Sequence, residues 1–312
     1  NIDRLLTVIN REKVDLVHTR SRAPAWSALY AARRANVPLI STFHGTYSHE
    51  NLLKRYYNSV MTRGEQVIAI SGFIAAHVRQ HYGVPSERIH TIHRGVDLSI
   101  FNTNNVSAER VISLANKWRI SDGHPIIMLP GRLTRWKGQI TFIKAIAQLN
   151  RRDLRCLIVG GHQGRTHYRS ELETLVESNN LGEVVRIVDS CRDMPAAYML
   201  SDVVVSASTD PEAFGRIIIE AQALGRPVIA TNHGGAQETV LENQTGWLVP
   251  PNDPTALATA LNHAINLDQN ERAQLANIAI QHINANFSLE LMCAKTLALY
   301  DKVLDPLQQK NV

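Results

Sequence analysis

Two glutamates and one cationic loop are the residues of this chain best suited to chemistry. Glu212 and Glu220 lie in the stretch Asp210-Pro-Glu-Ala-Phe-Gly-Arg-Ile-Ile-Ile-Glu220. The apolar run Val203–Ser206 before them reads as a strand, and Phe214-Gly215 opens a helix carrying Glu220 about two turns in. Parallel sheets bind ligands beyond the carboxyl ends of their strands. Glu212 in the loop and Glu220 on the helix could therefore reach one ligand at two points. Gly215 lets backbone N–H groups approach a diphosphate, and the helix dipole favours the negative charge. Two glutamates alone are equally the exposed pair of an amphipathic helix. The second stretch is Gly131-Arg-Leu-Thr-Arg-Trp-Lys-Gly138, again directly after an apolar run. Arg132 can fork onto phosphate oxygens, and Lys137 adds a point charge. Gly160-Gly161 and Gly234-Gly235 are further glycine turns at strand ends. Each alone is routine, but four such loops at the ends of parallel strands converge on one crevice.

The elements that must position these loops are legible as alternation. The chain opens on an amphipathic helix, with Ile2, Leu5, Leu6 and Ile9 at helical spacing. Strands are expected at 14–18, 38–43, 66–70 and 88–92, with helices at 24–34, 51–61 and 72–82. A second series follows, with strands at 125–130, 154–159, 184–188, 203–206, 227–230 and 246–249. Residues 253–304 read as helical throughout. Such alternation argues for βαβ units and parallel sheets. Asn102, Asn104, Asn105, Ser107, Ser121, Asp122 and Gly123 flank a short helical stretch, which reads as an inter-domain connection. The expected architecture is α/β, with two tandem Rossmann-like domains. The first spans 1–115, completed by a C-terminal helix at 290–312, and the second spans 120–289.

Composition narrows the partners. The 312 residues are 44% apolar and 20% charged, an ordinary globular balance. No run of about 18 apolar residues would span a bilayer, and no basic-then-apolar leader indicates secretion. Cys156, Cys191 and Cys293 are too few and too scattered for a disulfide framework and suit a reducing cytosol. Net charge is +5, but residues 1–120 hold 16 Lys/Arg against 8 Asp/Glu while the remainder hold 17 against 20. The basic half is either a solvated surface or a face for something anionic, such as a bilayer or a phosphorylated acceptor. Lys54 and Arg55 are the residues expected to touch an anionic membrane. No nucleic-acid-binding signature accompanies the charge. His77 and His81 share a helix face at the spacing of a zinc motif, but its glutamate is missing and no third ligand is evident. His90, His93, His162 and His167, beside strand ends, read as structural.

Taken together, the chain resembles the glycosyltransferase group 1 family (family 4), which has the two-Rossmann GT-B fold. The resemblance rests on Glu212…Glu220, Gly131–Gly138, Arg226-Pro-Val-Ile-Ala-Thr231, Gly234-Gly-Ala-Gln-Glu-Thr-Val240 and Thr245-Gly-Trp-Leu-Val249. In the first half, Phe43-His-Gly45 and Gly95-Val-Asp97…Phe101 also fit. It implies a retaining, metal-independent transferase using a UDP-, GDP- or ADP-sugar and no other cofactor. Arg132 and Lys137 would hold the diphosphate, with Gly131 and Gly161 nearby. Glu212 would bind sugar hydroxyls, and the backbone of Ala213, Phe214, Gly215 and Arg216 would lie near sugar and phosphates. Glu220 would accept from the ribose, Cys191 and Met194 would lie beside the base, and His44 beside the reacting carbon. The acceptor would be a saccharide or a lipid-linked one, in envelope polysaccharide or lipopolysaccharide synthesis. The place would be the cytoplasm, peripheral to the inner membrane face.

The chain also departs from the family pattern. Arg94 stands where the family usually has Asn. The family's opening strand and glycine-rich loop have no counterpart after Asn1, so by resemblance roughly three strands of the first sheet are missing. That expectation leaves the first domain incomplete, through truncation or as a natural fragment. A non-catalytic nucleotide-sugar-binding protein is one alternative, and a nucleotide-sugar epimerase on the same fold is another. A dinucleotide oxidoreductase lacks its Gly-x-Gly-x-x-Gly.

Overall fold

The computed structural model describes residues 1–47, 51–120 and 123–308. They form two compact units: one of Asn1–Gly95 with the chain from Leu289 onward, the other of Val96–Ser288.

In the first unit, α1 (Ile2–Arg11) turns Ile9 into the core. Lys13 takes a positive φ of 51°, and Val14 N–H closes on the Ile9 carbonyl. These residues complete the helix end, so β1 starts only at Val17 and runs to Thr19; the strand expected from 14 is shorter for that reason. There follow α2 (Arg22–Ala35), β2 (Leu39–Phe43), α3 (Leu52–Asn58), β3 (Gln66–Ala69), α4 (Gly72–Tyr82) and β4 (Ile89–Thr91). The helix expected at 51–61 ends early, and Ser59–Thr62 tighten into a 3₁₀ turn. The four strands lie parallel in the order β1-β2-β3-β4.

The second unit contains α5 (Ala108–Lys117), β5 (Ile126–Pro130), α6 (Gln139–Leu149), β6 (Arg155–Val159), α7 (Thr166–Ser178), β7 (Val185–Val188) and α8 (Met194–Leu200). It continues with β8 (Val203–Ser206), α9 (Arg216–Ala223), β9 (Val228–Thr231), α10 (Ala236–Thr239), β10 (Gly246–Val249), α11 (Pro254–Ile265) and α12 (Gln269–Asn286). Its six strands are parallel in the order β10-β9-β8-β5-β6-β7. Both faces of the sheet are covered. Ile127 and Leu129 of β5 face Phe142, Ile143, Leu172 and Leu261 on one side, and Ile126 and Met128 face Leu114, Tyr198 and Ile218 on the other. Burial on both faces explains why these strands read as continuous apolar runs.

The boundary expected at 115–120 falls instead at Gly95–Val96. The stretch read as a connection is core: Val106, Leu114, Trp118 and Ile120 pack against β5 and β8 residues of the second sheet. Polar Asn and Ser residues gave it the look of a linker, while its apolar side was too short to show a period. The helical tail resolves into three helices. Asp268 and Glu271 form a capping box that starts α12, and α13 (Leu289–Gln308) belongs to the first unit. There its Leu299 packs on Ile40, Ile68 and Ile92 of the first sheet.

The sheet order reverses at β5, whose neighbours are β6 and β8. The loops after β5 and β8 therefore leave the sheet side by side, at the switch point where doubly wound folds form their ligand crevice. Gly138, at φ +73°, lets them touch: a Cβ there would lie 1.8 Å from the Ala207 carbonyl oxygen. Thr209 N–H also donates to the Trp136 carbonyl at 2.7 Å. Replacing Gly138 with Ala should cost about 2 kcal/mol, a typical overpacking penalty, and lower the midpoint of thermal unfolding by roughly 5 °C. An unaltered melting curve would show that the two loops are not held together at this point.

Candidate active site

Lys137 and Glu212 meet where the loops touch. Lys137 Nζ donates to Glu212 Oε1 at 2.6 Å, with side chains 11% and 15% exposed. Ser208 Oγ donates to the same carboxylate oxygen, so Glu212 is fixed by a cation and a hydroxyl. Its backbone is fixed too, because Gly235 N–H, from the loop after β9, donates to the Glu212 carbonyl at 2.8 Å. Arg132 is exposed one residue beyond Gly131. Among the described residues nothing pairs with its guanidinium, while its carbonyl accepts from Gln139 Nε2 at 2.9 Å.

Glu220 is nearer the helix start than the sequence suggested. Gly215 holds φ +87° and ψ 62°, a left-handed conformation that cannot continue a helix, so α9 begins at Arg216 and Glu220 sits about one turn in. Tyr198 Oη donates to Glu220 Oε2 at 3.0 Å, and Arg216 Nη2 to Oε1 at 2.7 Å. Burial pushes the Glu220 carboxyl above its ordinary range, against the opposing pull of Arg216 and Tyr198. Burial and the neighbouring Glu220 charge push the Tyr198 hydroxyl well up, so it remains a donor. Glu220 is thus clamped at one edge. Each oxygen keeps a second lone pair that could accept from a ligand hydroxyl.

Phe214 is buried with its ring 5.8 Å from Phe287, so only its backbone faces the loops. Gly161 lies across from the β5 loop, its carbonyl accepting from Leu133 N–H at 3.2 Å. Cys191 is partly exposed, and its thiol donates to the Asp193 carbonyl at 3.3 Å. Met194 opens α8 and packs at the edge of the core. The expected residues of the second unit therefore belong to the loops at the carboxyl ends of neighbouring strands and to the first turns of the helices that follow them. Tyr198, Ser208 and Arg216 are the fixing groups beside them. Of these three, the sequence motif marks only Arg216, and nothing periodic marks Tyr198 or Ser208.

His44 lies in the first unit, just past the end of β2. It lines a cavity of about 290 Å³ together with His18, Arg20, Thr42, Arg94 and Tyr300, over an apolar floor that includes Ile68 and Ile92. His18 is held between two hydroxyls, Tyr300 at 2.6 Å and Thr42 at 2.7 Å. Burial, reinforced by Arg20, lowers the His18 pKa to about 4. Burial lowers that of His44 to about 4 as well, with Arg94, Arg20 and His18 adding to it. Both imidazoles are therefore neutral near pH 7.

These features match known proteins. The family described as Glycosyl transferases group 1 matches residues 112–282, and Glycosyltransferase Family 4 matches residues 1–100. A D-inositol 3-phosphate glycosyltransferase of Xylanimonas cellulosilytica is 31% identical over 285 residues, which make up 84% of this chain but only 66% of that relative. The crystal structure of a glycosyltransferase from Rickettsia africae superposes with a TM-score of 0.92 at 37% identity, over 97% of this chain and 80% of that one. Anabaena HepE, solved in complex with UDP and glucose, gives 0.84 at 26% identity, over 95% and 80% of the two chains. Two parallel sheets with alternating helices, and a family match over more than half of the chain, establish that this protein belongs to the group 1 glycosyltransferases and has the GT-B fold.

Proposed function

We propose that the protein transfers a sugar from a nucleoside-diphosphate-sugar to a saccharide or lipid-linked acceptor with retention of anomeric configuration, in envelope polysaccharide or lipopolysaccharide synthesis. The observation that carries the reading is the fixed Lys137–Glu212 pair, close in sequence to the α9 start and the clamped Glu220. A donor would separate that pair, taking Lys137 and Arg132 onto its diphosphate and Glu212 onto sugar hydroxyls, while Glu220 accepts from the ribose. HepE, of the same fold, has also been solved with UDP-glucose.

The mechanism follows from where charge develops. Cleavage of the bond between sugar and phosphate leaves positive charge on the sugar and negative charge on the diphosphate. Preorganised cations and a helix start stabilise the negative charge, and in many enzymes such electrostatic stabilisation supplies most of the rate enhancement. Attack from the face that the diphosphate leaves keeps the anomeric configuration, and the departing oxygen takes the acceptor's proton. No protein nucleophile and no second cofactor enter this scheme.

The place of action we propose is the cytoplasmic face of a membrane, bound peripherally. Among the described residues no helix is long and apolar enough to cross a bilayer. Support for surface binding comes from α3, where Leu52 and Leu53 are each 79% exposed and Tyr56 and Tyr57 are 58% and 45% exposed, interleaved with Lys54 and Arg55. Trp26 stacks on Tyr56 at 5.4 Å, and Arg63 lies 5.0 Å from both rings. Leucines that enter the acyl boundary, tyrosines at headgroup depth and cations for anionic lipid together suit a bilayer surface.

Three outcomes test this reading. Glu220→Ala should weaken donor binding and Glu212→Ala mainly lower turnover, each roughly tenfold to a hundredfold, since a hydrogen bond to a charged group contributes about 1.5–3 kcal/mol. Unchanged kinetics in both folded variants would remove the site assignment. Transfer should survive EDTA while Arg132→Ala and Lys137→Ala each abolish most of it; loss on chelation and return with magnesium or manganese would contradict a cationic side-chain clamp. The protein should sediment with anionic but not neutral vesicles at low salt, at about 1 kcal/mol per Lys or Arg near the surface. Equal partition onto both vesicle types would rule out the charge-assisted docking.

A further inference from the structure

The cavity in the first unit contains a contact that fixes more than geometry. Arg94 Nη1 lies 3.2 Å from His44 Nδ1. A guanidinium has donors only, so Nδ1 must be the accepting nitrogen. In a neutral imidazole the proton then sits on Nε2. We propose that Arg94 is a positioning residue that locks His44 in the Nε2–H tautomer, so that His44 offers a hydrogen bond to a substrate oxygen and has no lone pair free at Nδ1. The tautomer itself follows from this contact alone; that the oxygen belongs to a glycosyl substrate rests on the transferase reading above.

The surroundings agree with a fixed neutral donor. Arg94 lies three residues past β4, and His18 of β1 and Arg20 just after it face His44. From α13 the cavity receives Cys293 and Tyr300, and among the described residues no Asp or Glu lines it. Tyr47, three residues on, hydrogen-bonds the His44 backbone and not its ring. Every charged group named as facing the ring is thus a cation, which opposes protonation at either nitrogen. A neutral imidazole with its proton on Nε2 can donate to an oxygen of a substrate that enters this cavity, and it does not serve as a base from Nδ1.

Nitrogen-15 NMR of the imidazoles reads the tautomer directly, without any substrate, with His44 assigned by the signals lost in His44→Ala. The expected result is a protonated Nε2 and an unprotonated Nδ1 that persist until the pH falls to about 4. Arg94→Met, which removes both donor and charge, should mix the tautomers and raise the His44 pKa; Arg94→Lys, which keeps both, should retain Nε2–H. In transfer assays Arg94→Met should move any acid limb that His44 sets to higher pH than in the wild type, because burial still lowers its pKa while the Arg94 charge no longer does. An Nδ1–H tautomer in the wild type would overturn the proposal even if Arg94→Met failed to fold. So would an Arg94→Met spectrum and titration identical to the wild type. Because the spectra need no donor or acceptor, the lock and the transferase reading can fail separately.

Discussion

The pairing of β5 with β8 is the constraint on which the second unit depends. It makes strands distant in sequence neighbours, and it releases their two following loops side by side. Each loop alone would be a glycine-bearing turn of no special chemistry. Side by side they require an unobstructed backbone contact, supplied where Gly138 meets Ala207, and they are tied by the Thr209–Trp136 hydrogen bond. Only then can Lys137 reach Glu212. The loop after β9 completes the arrangement by holding the Glu212 carbonyl, so a single ion pair reports on the correct placement of three strand ends.

Charge is handled by fixing it before any ligand arrives. A buried carboxylate is costly unless it is paired or hydrogen-bonded. Glu212 is matched by Lys137 and Ser208, Glu220 by Arg216 and Tyr198. These partners leave each carboxylate rigid and still able to accept further hydrogen bonds, which is what sugar and ribose hydroxyls would require. Arg132, by contrast, remains on the surface with its guanidinium available to an anion. In the first unit the same principle appears with the opposite sign: two half-buried imidazoles, His18 between hydroxyls and His44 beside Arg94, are held neutral by burial and neighbouring cations, where they can exchange hydrogen bonds but do not bring charge.

Local sequence was sufficient for much of this. Apolar runs located the ten strands of the described residues, the first with its start displaced, because a parallel strand covered on both faces must be continuously apolar, as Ile126–Pro130 and Val203–Ser206 are. The motif around Glu212 and Glu220, with Gly131–Gly138, located the loops that carry the candidate site. Errors arose where a neighbour in space decided the outcome. Residues 102–120 read as a linker from their Asn and Ser content, and became part of the second unit because Leu114 and Trp118 found a sheet face to cover. The depth of Glu220 in α9 was misjudged because the helix start depends on the left-handed turn at Gly215, which composition does not reveal.

What the sequence determined by itself was the set of elements, their α/β alternation and the residue types at the strand ends, all products of interactions within a few residues along the chain. What only the tertiary structure decided was which of those residues meet. Strand order placed Lys137 on Glu212, an α8 tyrosine on Glu220, and Arg94 on His44, at separations of 75, 22 and 50 residues. No periodicity encodes such distances, because they are set by sheet pairing and core packing rather than by local conformation. The tautomer of His44 and the occupancy of each carboxylate therefore belong to the folded molecule alone.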